Sequence, residues 1–326
     1  MRLIGASVVR NEADIVETFV RHNLATLDGL AVVDHGSTDG TSEILTALVR
    51  EGLPLFVARD DSPEFDQKTM ANRLVRHVFA TSDAAWIFPL DADEFLKAPS
   101  REALESALDR VPAGQHVLVE WQTYVPDFGG ALGIPEAIRT ARRLARERHG
   151  FPKAAVSRHF VNAADRSLIK GNHGVVLDGP MVITVAGARL APHVVALAHV
   201  PVRTAAQFSV KIAIGWLATL ASASFNGGDS FHWRDAFAYL RSGRPLTPQQ
   251  LASFAANYGV RQEQWLPLDA IELIDDPFLA AVESSYGHLA RTDPLAQVLE
   301  HAEKLLTPTP ASAPIQAQTT AHRRAL

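Results

Sequence analysis

Apolar and polar positions fall into alternating blocks along the first third of the chain. Leu3 to Val9 reads as a strand, and Glu12 to Leu24 as a helix with Ile15, Phe19 and Val20 on one stripe. Leu30-Ala31-Val32-Val33 reads as a second strand ending at Asp34. The loop Ser37-Thr38-Asp39-Gly40-Thr41 then carries an N-cap signal for a helix from Ser42 to Arg50. Leu53 to Ala58, Gln67 to Phe79 and Trp86 to Leu90 repeat the order strand, helix, strand. This alternation predicts an α/β protein with a parallel sheet and helices on both faces. Pro89 cannot donate to a ladder, which places it where the fourth strand stops pairing.

Beyond this block the pattern changes. Glu102 to Val111 reads as a helix and His116 to Trp121 as a strand. Residues 136 to 170 are rich in Arg and Lys, and short strand-like runs follow at Gly174 to Leu177, Val182 to Val185 and Val194 to Ala198. From Thr204 onward the pattern is helical. Pro308 to Ala325, rich in Pro, Ala, Thr and Gln, predicts a disordered tail. The expected organisation is therefore an α/β domain over 1–203, a helical region over 204–306 and a tail over 307–326.

Composition narrows the class. Of the 326 residues, 47% are hydrophobic and 21% charged, enough for a sizeable core. A net charge of −5 gives no sign of a nucleic-acid partner. The absence of cysteine excludes disulfides, thiolate metal sites and a cysteine nucleophile, and fits a reducing, cytoplasmic setting. The most membrane-like stretch, Ile212 to Ala221, is shorter than the ~20 residues a spanning helix needs. No transmembrane segment is expected, and peripheral membrane contact is left open.

In open parallel sheets, ligands sit beyond the carboxyl ends of the strands. Arg10-Asn11-Glu12, Asp34 to Asp39, Asp60-Asp61 and Asp91 to Glu94 all follow strands and share that rim. Asp91 and Asp93 are two apart on an extended chain and point to one side. Paired carboxylates there suit Mg²⁺ or Mn²⁺, which in turn take up phosphates. His173 and His199 adjoin strand-like runs and are candidate further ligands, especially for Mn²⁺. The same residues also suit simpler roles, since Asp and Ser are preferred turn and cap residues. Most of the basic run reads as a solvated surface, with Lys153 and Lys170 the better candidates for meeting an anion.

Three segments together resemble the family 2 glycosyltransferases. They are Val9-Arg10-Asn11-Glu12, Asp34-His35-Gly36-Ser37-Thr38-Asp39-Gly40-Thr41, and Trp86 to Phe95 with its Asp91-Ala92-Asp93-Glu94-Phe95. The last is similar to the subgroup with a D-x-D-E-F motif, akin to family 92. A fourth stretch, His199-Val200-Pro201-Val202-Arg203-Thr204-Ala205-Ala206-Gln207-Phe208-Ser209-Val210-Lys211, resembles that subgroup's later motif. It departs by Val200 for Tyr, Arg203 for Lys and Thr204 for Ser. The resemblance covers about residues 1 to 220.

What this implies is a GT-A fold and an inverting, metal-dependent hexosyl transfer. The donor would be a nucleotide-sugar, UDP-linked, and the acceptor a hydroxyl of a glycan or other molecule. Asp34 would contact the nucleoside, with Arg10, Asn11, Glu12 and Asp39 in the same donor-binding rim. Asp91 and Asp93 would serve ribose and metal, His199 would be the later metal ligand, and Lys211 would lie near the diphosphate. The base is open among Asp127, Glu94 and Glu120. A nucleotidyltransferase of the same fold type is the alternative, although Val9-Arg10-Asn11-Glu12 lacks its Gly-rich loop.

Overall fold

The computed structural model describes residues 1–62, 66–130, 133–163, 165–179, 181–222, 231–279, 284–307 and 316–317. The N-terminal block runs β1 (Leu3–Val9), α1 (Val16–Leu24), β2 (Gly29–Asp34), α2 (Thr41–Arg50), β3 (Leu55–Arg59), α3 (Gln67–Thr81) and β4 (Trp86–Pro89). β5 (Glu94–Lys97), α4 (Arg101–Leu108), β6 (Val117–Val125), α5 (Ile134–Arg139), β7 (Arg142–Leu144) and β8 (Lys153–Ser157) follow. Next come α6 (His159–Asn162), β9 (Arg166–Leu168), β10 (Val175–Leu177), β11 (Ile183–Val185), β12 (Ala188–Arg189) and β13 (Ala196–His199). The last elements are α7 (Ala205–Ala221), α8 (Phe231–Arg241), α9 (Pro248–Ala256), β14 (Leu273–Ile274), α10 (Pro294–Leu306) and β15 (Gln316–Ala317).

β4, β1, β2 and β3 lie side by side and parallel. β8 joins β4 antiparallel, and β6 and β7 extend the sheet beyond it. The parallel strands have a period of two. Leu3, Leu30, Val32 and Phe88 pack with Phe19, Val20, Ile44 and Leu48 of α1 and α2. Ile4, Ala6, Ala31 and Val33 pack with Leu74, Val75, Val78 and Phe79 of α3 on the other face. Full burial of a side chain such as Phe19 or Ile44 contributes ~1.5–3 kcal/mol. The expected α/β class with helices on both faces is what the chain forms. Pro89 ends β4 opposite Ala6, and ladder donation passes to Leu90, whose N–H bonds the Ala6 carbonyl at 2.9 Å.

A third apolar cluster holds Phe208, Ile212, Ala236, Leu251 and Phe254 of α7, α8 and α9 against Val125 and Leu144. No described helix is long and apolar enough to cross a membrane. Of the tail expected to be disordered, only Gln316–Ala317 is described, as a strand antiparallel to β3; the rest lies outside the described residues.

The helix expected from Glu12 starts four residues later, at Val16. The reason is a clasp between the loops after β1 and β2. Asn11 adopts the left-handed region at φ 53, its N–H bonds Ser37 Oγ at 2.9 Å, and its Oδ1 accepts Thr38 N–H at 2.8 Å. Glu12 N–H bonds Thr41 Oγ1, and Ala13 N–H bonds Asp39 Oδ2, both at 2.9 Å. Asn tolerates this backbone better than other side-chain-bearing residues. Asn11→Ala should lower unfolding free energy by about 1–3 kcal/mol, read by urea denaturation. Asn11→Gly should cost less, because it relieves the strain and loses only the side-chain bond. Equal losses in the two variants would show that the backbone conformation contributes nothing.

Candidate active site

β4 delivers the acidic motif to the rim of the sheet, and four other elements answer it. Asp91 is partly exposed; its N–H bonds Glu94 Oε2 at 2.9 Å. Lys153 of β8 bridges the two acids, with Nζ 2.6 Å from Asp91 Oδ2 and 2.8 Å from Glu94 Oε1. Gln67, the first residue of α3, donates to Asp91 Oδ1 at 3.3 Å and accepts Gly171 N–H at 3.1 Å. Asp93 is 2% exposed and is bonded by Lys211 of α7. His199, the last residue of β13, holds Nε2 3.6 Å from Asp93 Oδ2. The register of β13 on β5, His199 opposite Glu94, fixes that approach, and Val200 N–H bonds the Asp93 carbonyl at 2.9 Å.

The charges are set by burial and pairing. Burial pushes the Asp93 carboxyl up, but Lys211, His199 and Arg203 together outweigh it and hold it well below the usual range. Burial pushes the His199 imidazole down to about 4, so it is neutral at pH 7. One lysine serves two carboxylates at Asp91 and Glu94; burial pushes the fully enclosed Glu94 up to about 8. Glu12, bonded by the buried Arg203, is raised by burial to about 7. Arg203 also pairs with Asp14 at 2.7 Å.

Asp91, Asp93, His199, Lys211 and Glu12 open on a cavity of ≈ 510 Å³. Arg10, Asn11, Glu12, Asp91, Asp93, Lys211, His199 and His173 all line it. Its other wall is aromatic: Trp121, Phe151, Phe231, Trp233 and Tyr258. Trp121 lies 3.9 Å from the His199 ring, centroid to centroid, with Tyr258 5.2 Å from the same ring. Gly215 lets α8 come close, since a Cβ there would meet the Trp233 ring at 2.8 Å. Lys153 and Lys170, singled out in the basic run, line the cavity too, Lys153 2% exposed beneath Asp91.

Other expected site residues lie elsewhere. Asp34 is wholly buried and does not line the cavity; it accepts Ser37 N–H at 3.1 Å and bonds Ser42 and Arg59. Asp39 ties Ala13 and Thr41 and is also outside the cavity. Asp127 is exposed, two residues past the end of β6, and lines a separate cavity with Arg142 and Leu273. β6 runs on to Val125, four residues beyond the predicted strand, and so carries Asp127 away. Glu94 sits behind Asp91 rather than on the cavity wall. Neither lines the cavity, and Glu120 is an exposed residue of β6.

Sequence reading missed the aromatic wall, because Phe231, Trp233 and Tyr258 come from a region read only as helical. It also missed Arg10 Nη2 at 2.8 Å from Nδ1 of His301 on α10.

The donor set offers a divalent cation two protein ligands. Asp93 is an ionised carboxylate and His199 a neutral imidazole, at a separation outside hydrogen-bond range. His173 instead engages the Pro152 carbonyl through Nδ1 at 2.9 Å, and Asp91 is held by Lys153. Among the described residues, no group of three or more acidic or histidine side chains is gathered for a metal. A cation at Asp93 and His199 would need further oxygen ligands to complete its shell.

No protein-family model and no curated protein matches the chain. Several solved structures are similar to it. A mannosyltransferase from Pyrobaculum calidifontis, in complex with GDP-Man and Mn²⁺, is 17% identical over 78% of this chain and 73% of that one, with a TM-score of 0.38. TarS 1–349 of S. aureus, in complex with UDP, is 13% identical over 76% and 73%, with a TM-score of 0.36.

A pH dependence follows from Glu94. Its carboxyl is raised in the folded chain above its ordinary value near 4.5. The stability it contributes is complete below that value and is lost as pH rises towards about 8. Glu94→Gln should therefore flatten the fall in unfolding free energy between these limits, measured by urea titration at each pH. Parallel curves for the two proteins would show that Glu94 is already ionised throughout.

Proposed function

We propose that the chain is a glycosyltransferase that moves a sugar from a nucleotide-sugar, UDP-linked, to a hydroxyl acceptor. The observation that carries this reading is the convergence of Asp91, Asp93, His199 and Lys211 on one cavity beyond the parallel strands. That is where a doubly wound sheet presents a ligand site. Asp91 and Asp93 come from the third of the segments that resemble family 2, with its D-x-D-E-F motif, and His199 and Lys211 from the fourth.

Roles follow from chemistry. Lys211, partly exposed on the cavity wall, offers its ammonium to the diphosphate. Lys153, enclosed beneath Asp91, sets that carboxylate towards the cavity, where it can accept from a ribose hydroxyl. Asp93 and His199 would hold Mn²⁺ or Mg²⁺, and a bound cation supplies Lewis-acid stabilisation of the leaving diphosphate. Asp34 and Asp39 act one step back, shaping the loops that present Arg10 and Asn11. The aromatic wall formed by Trp121, Phe151 and Tyr258 suits the apolar face of a sugar ring and excludes water from the reacting centre. Transfer with inversion is the course proposed, with the acceptor entering from this aromatic side.

The test is a thermal-shift panel of UDP, GDP and their sugar conjugates, with Mn²⁺ or with EDTA. A productive nucleotide should raise the melting temperature more with Mn²⁺; at 100 times its Kd, mass action contributes ~2.7 kcal/mol. Asp93→Asn should erase the difference between the two buffers. Equal shifts in Mn²⁺ and EDTA would remove the metal from the reading. No shift with any nucleotide would remove the donor as well.

A further inference from the structure

We propose that Lys211 is a resident counter-ion of Asp93 which must release that carboxylate before a divalent cation can take it, so that cation and nucleoside diphosphate enter the cavity as a coupled pair. This rests on the donor-and-metal reading of the same cavity.

The geometry points to it through one shared oxygen. Lys211 Nζ bonds Asp93 Oδ2, and the same Oδ2 is the atom facing His199 Nε2 at 3.6 Å. A cation lying between Asp93 and His199 would therefore compete with the ammonium for one carboxylate oxygen. Asp93 cannot turn away to serve both. Its side chain is 3% exposed, and its carbonyl is tied to Val200. Two cationic charges on one buried carboxylate repel strongly where solvent screens them little.

Lys211 is the partner able to move. Its side chain is 21% exposed on the cavity wall, and a lysine carries its charge on a flexible four-carbon stem. Of the other buried cations nearby, Arg203 is fixed by Glu12 and Asp14. Lys153 is 2% exposed and spans Asp91 and Glu94. An incoming diphosphate offers Lys211 a second anion, at the moment when the cation needs Asp93. Each ligand thereby removes the obstacle to the other, and linkage makes the effect reciprocal.

The probe is Mn²⁺ alone, with free ion counted by electron paramagnetic resonance, and Mn²⁺ with saturating UDP or GDP. In the wild type, Mn²⁺ alone should bind weakly, and the nucleotide should tighten it at least tenfold. Lys211→Met should bind Mn²⁺ alone at least fivefold tighter than wild type, and nucleotide should then add little. Lys211→Arg, which keeps the charge, should retain the weak binding of Mn²⁺ alone, and it serves as the folded reference should the Met variant fail to fold. Lys211→Met binding Mn²⁺ alone no tighter than wild type would overturn the counter-ion role while leaving the metal site standing. So would a wild type that binds Mn²⁺ equally well with and without nucleotide. Absence of Mn²⁺ binding in every arm would overturn the proposal together with the metal reading beneath it.

Discussion

The constraint on which the site depends is the cost of burying carboxylates at the end of β4. Glu94 and Asp93 are essentially inaccessible, and Asp91 sits beside them at the cavity wall. An unpaired buried charge costs several kcal/mol, so the fold must bring cations to this point from distant parts of the chain. It brings Lys153 from β8 and Lys211 from α7. The two lysines divide the labour. Lys153 is enclosed and static, fixing Asp91 and Glu94 as a unit. Lys211 is reachable from the cavity and holds the one carboxylate that also faces a histidine.

The same economy shapes the loops around the site. Asp34 and Asp39 look from their positions like ligand-binding acids, but each satisfies backbone N–H groups and hydroxyls of the turn that follows β2. Asp39 Oδ2 also takes the Ala13 N–H of the loop after β1, in which Asn11 holds the left-handed conformation and accepts Thr38 N–H. Arg10 is carried into the cavity wall as a result, and α10 closes over it through His301. Structural and functional readings of these acids are thus not rivals: a rigid rim is what sets the geometry of the residues that do face the cavity.

The aromatic wall gives the cavity two unlike halves. One side presents ionised groups at the ends of strands; the other presents rings from the segment before β8 and from the helices after β13. Trp121 of β6 joins them, its ring tilted 42° against that of His199 and its centroid 5.8 Å from Lys153 Nζ. Charged groups next to an apolar wall interact in a less polarisable medium than water, which strengthens every ion pair among them.

The sequence by itself determined the parallel core and the address of the acidic motif. Both are local properties: the period of apolar positions in β1 to β4 sets strand and helix, and the strand order of such a block sends its loops to one rim. Asp91 and Asp93 could be picked out because charge at the end of an apolar run is conspicuous. Asn11, Asp34 and Asp39 were legible as rim residues, but not as parts of a clasp, since their partners depend on how two loops meet. Asp127, read as a candidate base, lies on a separate cavity, since β6 runs on to Val125, four residues past the predicted strand. Which cation answers which carboxylate was decided only by tertiary structure. Lys153 reaches Asp91 across 62 positions of sequence and Lys211 reaches Asp93 across 118. The pairing of β8 beside β4 and the register of β13 against β5 put them there. No periodicity in a single segment encodes that choice, because it is made by strand order and by the cost of leaving a buried charge unpaired.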